Sequence, residues 1–144
     1  MAEVMVISYQ GKHVVWPPYV VVTHGEEVVF KAVGVDATVF LPMPDMFEDT
    51  VDIHNGTTRS SEPAQKTDKG LVLEVGDRHS AIRVKKTASL GDNTTRVAYP
   101  YSVYCKQANT FAEGNSAPVM IIEPPPNGTQ PMPPKAPASG AKQA

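Results

Sequence analysis

From Val97 to Cys105 every second residue is apolar or aromatic: Val97, Tyr99, Tyr101, Val103 and Cys105 share one face of an extended chain. Period two of this kind fits a strand with one face in a core. The stripe ends on the chain's only cysteine, and a loop from it leads into the apolar run Val119-Met120-Ile121-Ile122. A chain that contains this pair is committed to β-structure with two covered layers.

The rest of the first 123 residues repeats the pattern in short pieces. Val4-Met5-Val6-Ile7 and His13-Val14-Val15-Trp16 form an opening pair around Gln10-Gly11, and Pro17-Pro18 stops the second strand or places it on an edge. Val20-Val21-Val22-Thr23, a His24-Gly25 turn and Val28-Val29-Phe30 read as strand, turn, strand. Thr38 to Leu41, Leu71 to Val75 and Ala81 to Val84 add three more, with turns at Asp68-Lys69-Gly70 and Gly91-Asp92. The one helical signal is Asp45, which has cap chemistry and Glu48 at capping-box distance before Asp49-Thr50-Val51 ends the turn. Residues 124–144 differ in kind. They hold Pro124, Pro125, Pro126, Pro131, Pro133, Pro134 and Pro137, half of the chain's 14 prolines, with almost nothing apolar, and are expected to form a disordered or polyproline II tail. Pro131-Met132-Pro133-Pro134 fits the loose PxxP pattern, which a solvated tail also satisfies.

Size and charge narrow the function classes. A chain of 144 residues fits one domain and can bury a core without metal or disulfide staples. Thirteen Lys plus Arg against 15 Asp plus Glu give a formal charge of -2, with no basic patch interleaved with aromatics, so nucleic acid is not an expected partner. No apolar run approaches the ~18–20 residues of a membrane span, so membrane insertion is not expected. One cysteine excludes an internal disulfide and leaves the compartment open. Met1-Ala2-Glu3-Val4, with no charged segment leading into a long apolar stretch, is not expected to be a signal peptide. As the chain stands it reads as cytoplasmic, or as periplasmic or secreted if a leader has been removed. The sequons at Asn55, Asn93 and Asn127 do not decide between these.

Two segments carry a family resemblance. Tyr99 to Cys105, with its loop and the strand in Ala117-Pro118-Val119-Met120-Ile121-Ile122-Glu123-Pro124, resembles the cysteine-bearing strand and last strand of cupredoxins. Pro18-Tyr19-Val20-Val21-Val22-Thr23-His24-Gly25-Glu26-Glu27-Val28-Val29-Phe30 is similar to that family's opening motif, and Asp36-Ala37-Thr38-Val39-Phe40 falls where the family often has His-Asn-x-Val-Phe. The resemblance covers residues 4–123 and implies a Greek-key antiparallel β-sandwich of about seven or eight strands with at most one short helix. It also implies where a copper site would lie: Asp36 at the first histidine position, Cys105, a second histidine position at Ala108 or Thr110, and the axial methionine position at Glu113.

A blue-copper centre takes two imidazoles, a thiolate and a weak axial thioether. Here one of the four remains. Asp36 is a hard oxygen donor, and the loop from Lys106 to Ser116 has no imidazole. The four histidines, His13, His24, His54 and His79, show no i,i+2 or i,i+4 pairing. Met43 and Met46 are soft donors suited to Cu(I), and methionines of this kind also plug the open end of a sandwich. Cys105 is either a thiol activated by Lys106 or an inert core thiol. No nucleophile triad or phosphate loop is present. The sequence therefore reads as a non-enzymatic binding or structural module, cupredoxin-like and copper-free, without a cofactor and with a protein partner it does not name. The competing reading is a copper protein, an electron carrier or Cu(I) handler, built on Cys105 with Met and His ligands.

Overall fold

A computed structural model describes residues 1–86, 96–112 and 117–124. In chain order the strands are β1 (Ala2–Tyr9), β2 (Lys12–Trp16), β3 (Tyr19–Thr23), β4 (Glu27–Val33), β5 (Ala37–Leu41), β6 (Thr50–Asn55) and β7 (Thr58–Pro63). They continue with β8 (Gln65–Lys66), β9 (Leu71–Val75), β10 (His79–Arg83), β11 (Val97–Pro100), β12 (Ser102–Cys105), β13 (Thr110–Phe111) and β14 (Val119–Glu123). The expected all-β sandwich is the fold. The Pro-rich tail beyond Pro124, Glu113, the Gly91-Asp92 turn and the sequons at Asn93 and Asn127 lie outside the described residues.

One layer is the six-stranded sheet β2-β1-β4-β10-β6-β7. The other combines β3-β14-β11 with β8-β9-β5-β12-β13, because β11 and β12 are one strand interrupted at Tyr101. The Tyr101 N–H still donates to the Pro118 carbonyl at 2.9 Å, so the interruption leaves the backbone bonded. Most pairings are antiparallel, as expected. Two are parallel, β1 with β4 and β3 with β14. In both pairs the inward positions are mainly valines, with Phe30, Met120 and Ile122, so the two parallel ladders bury one apolar face against the core.

Local chemistry explains the corners. The β1–β2 hairpin turns on Gln10 and Gly11, both at positive φ (51° and 78°), the conformation a two-residue loop needs to match strand twist. Pro17-Pro18 ends β2, which is an edge strand as the prolines require, and sends the chain to the other layer. The helical signal is corrected: the 3-10 turn is Pro44–Met46 with Met43 as its cap, and Asp45 lies inside it without capping. Pro44 takes the first helical position, where its missing N–H is not needed. Glu48 leaves the turn by donating its N–H to the Arg83 carbonyl at 2.9 Å.

The core lies between the layers. Val4, Val6, Val20, Val22, Phe30, Val39, Leu41, Leu73, Ile82, Val103, Met120 and Ile122 belong to one cluster, with Tyr101 packed edge-on to Phe30 at 6.1 Å. Tyr101 and Val103 are almost wholly buried and Tyr104 sits on the opposite face of its strand, as the alternation requires. Phe40 is not a core aromatic. Ala37, Val39 and Leu41 take the inward positions of β5, so Phe40 turns to the outer face, against Gly70, where an added Cβ would meet its ring at 2.4 Å.

Candidate functional site

The strand directions define two ends. β12 runs antiparallel to β5 with Cys105 opposite Ala37, so the residue before β5, Asp36, and the residues after β12 meet at one end. This is the end to which the cupredoxin resemblance assigns the positions of a copper site, whose ligands the sequence lacks. The Lys106 N–H donates to the Asp36 carbonyl at 2.9 Å. Gln107 then closes on Asp36 from both sides: its Oε1 accepts from the Asp36 N–H at 2.9 Å, and its Nε2 donates to Asp36 Oδ2 at 2.7 Å. An amide side chain thus occupies the Asp36 carboxylate. Gly76 makes room for this, since a Cβ there would fall 2.3 Å from Asp36 Oδ1.

Cys105 is fully buried and free of any disulfide, and burial pushes its thiol pKa up. A neutral, inaccessible thiol is a poor nucleophile. Lys106 does not activate it. Its Nζ pairs with Glu74 Oε1 at 2.6 Å, and that carboxylate also accepts from Thr38 Oγ1 at 3.1 Å. Thr110 pairs with Cys105 across the β12–β13 hairpin, while Ala108 is exposed in the loop between, which Asn109 closes at φ 55°. Tyr104 donates its hydroxyl to Asn109 Oδ1 and packs edge-on with Phe111 at 5.3 Å. Beside the clasp is an open cleft of about 280 Å³ lined by Asp36, Asn55, Glu74, Asp77, Arg78 and Lys106.

The soft donors are elsewhere. From Ala37 β5 runs away from Cys105 to Leu41, so Met43 and Met46 lie beyond its far end, roughly 13 Å of strand away. Both are buried in the core with Phe47. The structure therefore brings Asp36, Cys105 and Thr110 together and keeps Met43 and Met46 apart from them. His24 is at that far end too: Gly25 N–H donates to the Val84 carbonyl at 2.9 Å and Lys85 N–H to the Met46 carbonyl at 2.9 Å. Its ring is buried, and among the described residues neither nitrogen has a hydrogen-bond partner. Among the described residues no group of three or more His, Cys, Asp or Glu side chains converges to hold a metal, and no helix is long and apolar enough to cross a membrane. Sequence reasoning missed Gln107, for which a glutamine in a loop gives no signal, and the facing of His54 and His79, which needs the β6–β10 register.

No family model matches this chain, and no curated protein matches it. Among solved structures, a reduced tryptophan-to-tyrosine variant of amicyanin shares 10% identity over 85% of this chain and 83% of that one, with a TM-score of 0.38. A methionine-to-alanine variant of amicyanin with Cu(I) shares 11% over 84% and 82%, also at 0.38. These are loose overlaps of strand positions.

Proposed function

We propose that this protein is a non-enzymatic binding module, a cupredoxin-like sandwich that works without type 1 copper and engages a protein partner. The observation that carries the copper-free half is the Gln107–Asp36 clasp. It joins the strand that precedes the site to the loop that follows Cys105, the structural task a bridging metal would otherwise perform, and it uses hard oxygen and amide groups poorly suited to copper that cycles through Cu(I). The partner-binding half is supported by the outer face of the first sheet. Trp16 and Met5 are register neighbours there, and Val14, Ile7 and Val33 form the next row. Trp16 is 64% exposed and Val33 49%, and an aromatic anchor in an apolar row is the composition of a protein interface.

Two experiments test the two halves. Changing Asp36→His and Thr110→His in one chain places imidazoles before β5 and opposite Cys105; gain of a thiolate–copper colour supports the account of the end, and a wild-type chain that already shows that thiolate–copper colour refutes it. Trp16 is the only tryptophan, so its emission reports the surface directly. A partner that blue-shifts it, and whose affinity falls at least tenfold with Trp16→Ser, supports the surface; a partner indifferent to that change places binding elsewhere.

A further inference from the structure

The two histidines that the sequence leaves 25 residues apart stand opposite each other in the sheet: His79 on β10 is the register partner of His54 on β6. Register partners on antiparallel strands share a face, with Cβ atoms about 4.5–5.5 Å apart. That face is the outer one, because Val51 and Ile53 turn inward from β6. Both residues are partly buried, and among the described residues neither has a side-chain hydrogen bond or ion pair. Two unengaged imidazoles at this spacing can turn one nitrogen each toward a common point, at the ~2.0–2.1 Å that imidazole–metal bonds require. We infer that His54 and His79 form an open two-imidazole chelate for a borderline divalent ion, Cu(II), Ni(II) or Zn(II), the other positions being filled by water.

The surroundings fit an open site of moderate affinity. Asp52 is on the same face two residues along β6, held by the Ser61 hydroxyl at 2.9 Å, and supplies negative charge without joining the ligands. Arg59 faces His54 from β7. Continuing the Ser80–Phe30 register puts Lys31 beside His79, and that amine is neutralised by Glu3 at 3.0 Å. The two cations and two carboxylates around the pair balance. Hard ions gain nothing from imidazole, whereas Cu(II), Ni(II) and Zn(II) favour it. The site shares no residue with Cys105 or Asp36, so it goes beyond the proposed function and stands or falls separately from it.

Titration of the full metal-free chain with Ni(II), followed by calorimetry, tests the inference. One ion per chain is expected, with His54→Gln and His79→Gln each weakening binding at least tenfold, and with His13→Gln and Cys105→Ser leaving it unchanged. With Cu(II), electron paramagnetic resonance should report a tetragonal site with nitrogen donors and no thiolate. Circular dichroism confirms that each variant is folded; should one histidine variant unfold, the other alone decides. Absence of one-to-one binding up to millimolar metal, or binding that either folded histidine variant leaves intact, overturns the inference.

Discussion

Cys105 ends a buried stripe at one end of the sandwich, and the residues around it are an amide, a carboxylate and a lysine already paired with Glu74. At the other end are the soft and aromatic groups, Met43, Met46 and Phe47, with His24 buried among described residues that leave its ring unbonded. The residue types that a blue-copper centre needs are thus present in the chain but divided between opposite ends. Ligand chemistry depends on which side chains converge, and composition does not supply that. The cysteine end is held by polar bonds across a gap, and the far end by close-packed apolar volume.

That contrast predicts unequal responses. Phe47 is wholly buried, so Phe47→Ala should lower stability by about 3–5 kcal/mol in denaturant unfolding. A loss below ~1 kcal/mol would mean that the far end is not packed as described. At the cysteine end, Gln107→Ala removes two hydrogen bonds at an exposed position and should cost only about 1 kcal/mol. Its specific mark is local: faster amide exchange at Asp36, whose N–H donates to Gln107, with the core amides unchanged. If exchange at Asp36 stays slow, the clasp is not what holds that end.

The difference between the ends was partly legible in the sequence. Tyr101, Val103 and Cys105 were readable as one buried face because a strand's period is fixed by backbone geometry. The strands from β1 to β5 and β9 to β12 carried the same signal. The β6–β7 hairpin did not: Thr58-Arg59-Ser60-Ser61-Glu62-Pro63 has no apolar residue, since an edge strand exposed on both sides buries nothing, and Val51 and Ile53 were hidden in what resembled the end of a helical turn. The outward turn of Phe40 has no mark in the sequence either, because a large aromatic on a strand fits either face until the register of β5 against β9 and β12 is known. The clasp and the His54–His79 pair were invisible for a different reason, as each depends on register between segments far apart in sequence.

The smallest expected effect is the most pointed test of the far end. His24→Leu replaces an imidazole without hydrogen-bond partners among the described residues by an apolar group of similar size, so stability should be unchanged or slightly higher. A loss of more than about 2 kcal/mol would show that the ring is engaged there.

The most direct test of the central claim is a Cu(II) titration of the full chain followed in the visible spectrum, beside the same titration of Cys105→Ser. A buried thiol with no imidazole in the loop after it cannot complete a His₂Cys site. The two titrations should therefore be indistinguishable, without an intense thiolate-to-copper band in either. A stoichiometric blue or green complex that disappears with Cys105→Ser would contradict the account and make the protein a copper carrier.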